Sequence, residues 1–206
     1  MTDNDPLERA LAVGAAHAPD RPLPELSEAA GAAGLLDVAY ATLDSPVGTL
    51  LVATTPRGLV RIAYLDRDDE ESVLRQLARK VSPRVLASRR RLDTTRRELD
   101  QYFEGTRRGF DLPLDWRLTH GFGRRVLQAT ARIPYGEVSN YKQVATAAGS
   151  PRGSRAAGNA LGSNPMPIVV PCHRVLHAGG GLGGYTGGVD RKRYLLGVES
   201  GTFARA

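Results

Sequence analysis

Cysteine is almost missing from this chain: its 206 residues contain one, Cys172. A lone thiol forms no intramolecular disulfide and cannot build a multi-cysteine zinc site. Histidine is scarce as well. Of His17, His120, His173 and His177 only the last two are closely spaced, in a segment that reads as extended, so no metal is expected. No apolar run approaches the roughly 20 residues that span a bilayer. The opening Met1-Thr2-Asp3-Asn4-Asp5 is acidic and lacks the basic and apolar regions of an export signal. Together these absences predict a cytoplasmic protein with no membrane partner. Gly179 to Gly188 holds seven glycines in ten positions, but no GK[ST] follows and no acidic ribose contact stands at dinucleotide spacing. No cofactor is expected, and the run reads better as a flexible pocket wall.

What is present is an ordinary globular composition, 41% hydrophobic and 24% charged, long enough for one or two domains. The net charge of +6 is unevenly spread. Residues 1–36 carry six acids and two bases, residues 37–118 thirteen acids and fifteen bases, and residues 119–206 three acids and eleven bases. The last third is therefore a basic module, which suggests a polyanionic partner, most simply nucleic acid.

Pattern divides the chain at the same places. Residues 1–36, rich in Ala, Pro and Glu, read as an extension with at most a short helix near Leu7 to Val13. Residues 37–118 give three β-type runs (38–43, 49–54, 59–65) across Pro/Gly turns, then one-faced helices over 70–80 and 94–103 and a further strand over 110–114. The expected class is α/β (α+β): a small antiparallel sheet with helices, followed by a mainly helical C-terminal domain. In that domain, residues 119–206, helical spacing at Phe122, Val126, Leu127 and Ala131 precedes a helix over 141–148, with Ser139 as its cap. The break Gly149-Ser150-Pro151 leads to a second helix over 152–161, and the pair suggests a helix-turn-helix. That second helix, Arg152-Gly153-Ser154-Arg155-Ala156-Ala157-Gly158, has few long side chains for reading major-groove edges. It suits close approach to a minor groove with little sequence preference, or else close helix packing.

Cys172 stands in Ile168-Val169-Val170-Pro171-Cys172-His173-Arg174. Neighbouring positive charge lowers a thiol's pKa and makes it nucleophilic, whereas a small hydrophobe ending a buried strand is the alternative. Neighbours in an extended segment point to opposite faces, so direct contact between Cys172 and His173 requires a turn or a bridging water.

Tyr135-Gly136-Glu137-Val138-Ser139-Asn140-Tyr141, Ser154-Arg155-Ala156-Ala157-Gly158, Asn164-Pro165-Met166-Pro167 running into Val170-Pro171-Cys172-His173-Arg174-Val175, and Gly184-Tyr185-Thr186-Gly187-Gly188 together resemble the O6-alkylguanine-DNA alkyltransferases in order and spacing. The resemblance covers about residues 119–199. It implies direct repair: O6-alkylguanine, and O4-alkylthymine with it, is flipped from duplex DNA and its alkyl group moves irreversibly to the protein, which is used once. It also implies a monomer able to cluster on DNA. By the same resemblance Cys172 is the acceptor, His173 its base, Glu199 the carboxylate orienting that base, and Asn164 a tie between the helix-turn-helix and the active-site turn. Tyr141 rotates the phosphate and donates a proton, while Arg155 fills the vacated stack. Lys142, Ser150, Arg152 and Arg174 are expected as further DNA contacts, and Pro167, Val175, Tyr185 and Thr186 as pocket lining. Thr186 and Asn140 depart from the family's usual residues, which leaves alkyl-size preference open. Two rival readings remain at this level: a DNA-binding damage sensor without transfer, and a papain-type cysteine hydrolase, disfavoured because nothing resembles that family's nucleophile segment.

Overall fold

The computed structural model describes residues 36–202. The helix expected near Leu7 to Val13 lies outside the described residues. The first three strands, β1 (Val38–Leu43), β2 (Leu50–Thr55) and β3 (Gly58–Tyr64), form the expected antiparallel meander. Two helices follow in this half, α1 (Glu70–Lys80) and α2 (Asp93–Phe103). Leu50, Val52, Leu59, Ile62 and Tyr64 pack in one cluster with Leu99 and Tyr102 of α2, while Leu51, Ala53, Val60 and Ala63 pack in another with Val73 and Leu77 of α1. Both faces of the sheet are thus covered, which is why β2 runs Leu-Leu-Val-Ala instead of alternating with polar residues. The Asp69 carboxylate caps α1 by accepting from Ser72 N, with Glu70 and Glu71 in the first turn and Arg79 and Lys80 in the last, each charge opposing the helix dipole.

The sheet is mixed, which corrects the expectation of a wholly antiparallel one. A fourth strand, β4 (Val85–Ala87), runs parallel to β1 and gives the order β3-β2-β1-β4. Three partly exposed residues just after Pro83 carry too little pattern to announce a strand. The strand expected over 110–114 is also absent: Leu114 makes only an isolated bridge to Leu59. Pro113 has no N–H for a ladder, and its carbonyl simply accepts from Leu59 N.

The second half is helical: α3 (Gly121–Thr130), α4 (Tyr141–Ala147), α5 (Ser154–Gly162) and α6 (Val189–Ser200). Helices α4 and α5, the pair expected from the sequence, pack on each other, with Gly149 in the turn between them at φ 82°, a conformation that costs glycine little. The cap of α4 is Asn140, not Ser139. Asn140 Oδ1 accepts from Gln143 N while Gln143 Oε1 accepts from Asn140 N, a reciprocal capping box. Ser139 and Asn140 instead form a two-residue strand, β5, parallel to β6 (Val175–Leu176). That short ladder ties the start of α4 to the segment just after Cys172. A single hydrophobic cluster continues from the sheet and α2 through Val126, Leu127, Val144, Ala157, Leu161 and Leu195, so the two halves share a core.

Candidate active site

The chain leaves α5 at Asn164 and makes a tight, wholly buried passage to Cys172. Ile168 sits there at φ 75°, a left-handed conformation that a β-branched residue adopts only under constraint. The constraint is visible. Val170 N donates to Met166 O at 2.8 Å, and Asn164 braces the turn from both ends of its amide. Asn164 Oδ1 accepts from Met166 N at 3.0 Å, and its Nδ2 donates to Val170 O at 2.8 Å and to Cys172 Sγ at 3.2 Å. Residues Cys172–Arg174 then form a 3-10 turn, so the chain is not extended at the thiol.

Cys172 is 4% exposed, and its burial raises the thiol pKa to about 11 against the opposing Asn164 hydrogen bond and Lys192 charge. At rest it is a thiol. Lys192 is fully buried, with Nζ donating to Val175 O at 2.6 Å, and its ammonium is the positive charge that acts on the sulfur. Chain neighbourhood alone points instead to His173 and Arg174 as that charge.

Both of those are committed elsewhere. Glu199, on the last turn of α6, accepts from His173 Nε2 at 2.7 Å, from Arg174 Nε at 2.9 Å, from the Tyr102 hydroxyl at 2.6 Å and from Gly136 N at 3.2 Å. Burial raises the carboxyl's pKa, but the hydrogen bonds from His173 and Arg174 outweigh it and bring it down to about 2. Burial lowers the His173 pKa, partly offset by Glu199, so the imidazole is neutral. With Nε2–H donating to a carboxylate, the lone pair is on Nδ1, which is buried and has no hydrogen-bond partner. A buried acceptor left open on the residue that follows the thiol is a base in waiting. Arg174 is 7% exposed, bidentate on Glu199 and bonded to Ile133 O, which removes it from the expected DNA contacts. An arginine beside a buried carboxylate pairs with it, because leaving that charge alone would cost several kcal/mol, about 3–5.

A cavity of about 670 Å³ opens over the thiol. Cys172, Tyr185 and Thr186 line it, together with Tyr141 from α4 and Ser154, Arg155 and Gly158 from α5. Pro167 and Val175, expected in the lining, are buried and are not part of it. His177 is part of the lining and was not anticipated; its ring packs against Tyr141 with centroids 5.3 Å apart. Lys142 and Arg155 are exposed at the rim, Arg152 is exposed and Ser150 half-buried in the turn leading to α5. The small residues of α5 divide between the two roles weighed for them: Ala157 and Ala160 are buried in the core, while Gly158 stands open to the cavity with a tyrosine ring as neighbour.

The sequence reading missed Tyr102, Lys192, His177 and Tyr64. Tyr102 lay in a helix read only for its apolar face, and a tyrosine at helical spacing gives no sign that its hydroxyl reaches a carboxylate 97 positions away.

Fold and site together define a protein that opens a buried thiol onto a cavity lined by two short helices carrying Lys142 and Arg155. Comparison with known proteins agrees. The family model described as 6-O-methylguanine DNA methyltransferase, DNA binding domain, matches residues 121–201, and that of the ribonuclease-like domain of the same family matches residues 38–116. A methylated-DNA--protein-cysteine methyltransferase of Mycolicibacterium paratuberculosis is 41% identical over 162 residues, 79% of this chain and 92% of the relative. The constitutive one of Bacillus subtilis is 36% identical over 163 residues, 78% of this chain and 94% of the relative. Among solved structures, Mycobacterium tuberculosis O6-methylguanine methyltransferase aligns with TM-score 0.68 at 37% identity, covering 80% of this chain and 93% of that one. The M. tuberculosis protein OGT in complex with DNA aligns with TM-score 0.66 at 35% identity, covering 79% and 93%. The chain belongs to the 6-O-methylguanine DNA methyltransferase family, and its function is DNA repair by transfer of an alkyl group to cysteine.

Proposed function

We propose that Cys172 takes the alkyl group from O6-alkylguanine flipped out of duplex DNA, and that each protein molecule acts once, as a monomer. The observation that carries this is the placing of the one thiol on the floor of a cavity rimmed by Arg155 and Lys142. A stacked base hides its substituents from any side chain, so the nucleotide must leave the duplex to reach that floor. Arg155, Lys142, Arg152 and Ser150 hold the strand at the rim, and Arg155 occupies the space left in the stack.

The chemistry balances without a cofactor. The Cys172 proton passes to His173 Nδ1, across one water where the two side chains do not meet, and Glu199 stabilises the imidazolium that forms. The thiolate attacks the alkyl carbon in line, the carbon–sulfur bond forms as the carbon–O6 bond breaks, and the electron pair stays on the base. Tyr141 protonates the departing base, and the proton first taken by His173 restores the hydroxyl. A thioether has no good leaving group, so the acceptor is not regenerated. The same pocket accepts O4-alkylthymine, whose reacting ether presents the same geometry.

The test is mass spectrometry after incubation with duplex DNA containing O6-methylguanine. One added methyl group on the peptide carrying Cys172 is expected, and none in Cys172→Ala. Tight DNA binding with an unmodified Cys172 would identify a sensor instead.

Arg155→Ala separates DNA handling from chemistry. Its side chain is exposed, so folding is expected to be unaffected. Repair of duplex lesions should fall about ten- to hundredfold, the range of a lost DNA-contacting arginine, while reaction with free O6-methylguanine base stays unchanged. Equal loss on both substrates would assign Arg155 to the fold. Duplex affinity should also fall with added salt, as phosphate contacts release counterions.

A further inference from the structure

The glycine-rich wall of the cavity is not free-standing. Tyr185, which lines the cavity and stacks edge-on to His173 at 6.3 Å, has its hydroxyl 2.8 Å from that of Tyr64, the last residue of β3. Tyr64 is 2% exposed and is itself held by Arg191 of α6, whose guanidinium lies 4.5 Å above the ring. Arg191 is tied in turn to Asp66 at 2.8 Å, and it donates to the carbonyls of Val47 and Gly187. Gly187 lies so close to both tyrosine rings that a Cβ there would stand 2.7 Å from Tyr64 and 2.8 Å from Tyr185.

Through Tyr64 these contacts join the N-terminal sheet to the pocket wall. We propose that Tyr64 is a positioning residue of the alkyl pocket: its hydroxyl fixes Tyr185 over Cys172 and His173 and so sets the size of alkyl group that fits. The inference rests on Cys172 being the acceptor. It gives the N-terminal sheet a part in substrate selection although no residue of that sheet lines the cavity. The physical reason is reach. The wall is a glycine-rich run with little conformational preference of its own, so whatever grips its one aromatic side chain decides where it stands. A hydroxyl pair with its Tyr64 member buried is directional and little exposed to competing water, whereas aliphatic packing would let the ring slide.

Tyr64→Phe keeps the ring, the Arg191 stack and the Gly187 contact and removes only the latch. Methyl transfer from free O6-methylguanine should slow about three- to tenfold, the range of one hydrogen bond, while the rate ratio of O6-benzylguanine to O6-methylguanine rises. Tyr185→Phe should do the same, and the double variant should be no worse than either single one, since both remove one bond. Gly187→Ala, which forces the wall off the rings, should raise the ratio as well. Losses that multiply in the double variant, or a lowered melting temperature with an unchanged benzyl-to-methyl ratio, would overturn the latch. Hydrogen exchange gives a reading that needs no transfer: the amide of Gly188, bonded to Tyr185 O, should exchange faster in Tyr64→Phe than in wild type. Unchanged exchange there would also overturn it. Absence of transfer by the wild-type protein would refute the acceptor role of Cys172, and the exchange result would still decide the latch.

Discussion

His173→Gln is expected to slow methyl transfer at neutral pH by about a hundredfold or more, the usual contribution of a positioned base, and to change its pH dependence. In the wild-type protein burial holds the imidazole pKa below its ordinary 6.5, so above that pH His173 is neutral and free to take the thiol proton. Moving a proton from one buried group to another does not change the number bound. The transfer rate should therefore be flat between about pH 6.5 and 9. Without the imidazole the proton must leave to solvent, and a thiol titrating at about 11 gains thiolate about tenfold per pH unit over that range. The profile of His173→Gln should rise with that slope. Single-turnover rates with free O6-methylguanine base measure both curves and avoid DNA binding. A wild-type profile that itself climbs tenfold per unit would show that His173 takes no proton.

The second large effect is on stability. Glu199→Gln is expected to destabilise the protein by about 3–5 kcal/mol, the cost of removing one member of a buried ion pair. The amide offers one oxygen where the carboxylate gave two, and Arg174 is left charged and 7% exposed with no counter-ion. Denaturant titration measures the loss. The pH dependence follows from the same carboxylate. Its pKa in the folded protein is about 2, against 4.5 when unperturbed, so the unfolded chain binds more protons between these values. The stabilisation is complete above about pH 4.5 and is lost as pH falls toward 2, a difference of about 3 kcal/mol. His173 acts in the same direction at higher pH. Its folded pKa is lowered, so protonation of the unfolded chain begins to cost stability as pH drops below 6.5. Glu199→Gln should therefore show a weaker acid dependence below pH 4.5 than the wild type does. Equal acid slopes would mean that another group carries the transition. Tyr102→Phe removes one donor to the same carboxylate and is expected to be the milder change.

Much of the fold could be read from short-range pattern. The helix over 70–80 matches its expected span, because Val73 and Leu77 mark its buried face and Asp69 its start. The three meander strands match to within about a residue at each end, since turns at Pro46-Val47-Gly48 and Pro56-Arg57-Gly58 leave little choice of register. Elements of two or three residues escaped. Neither β4 nor the β5–β6 ladder is long enough to show a period, and the ladder is what sets Tyr141 beside the active-site turn. Ser139 is the cap expected from the sequence, in place of Asn140; both residue types favour that position, and only the backbone at the end of β5 chooses between them.

The sequence by itself determined the chemistry carried by neighbours: one thiol next to a histidine, a basic helix pair upstream, a glycine-rich wall downstream. Covalent adjacency guarantees such proximity whatever the fold. Tertiary structure decided what each group does with its proximity. It buried Arg174 against Glu199 where the chain alone suggested a DNA contact, and brought Tyr102 from a distant helix to the same carboxylate. It put Lys192, not His173, in the position of the charge acting on the sulfur. It also gave the pocket wall a grip from Tyr64 in the other half of the protein. These partners are 20 to 121 residues apart in the chain, and their contacts follow from how helices and sheet pack. A buried polar group must find some partner, but which one is a property of the packed interior, where no spacing rule reaches.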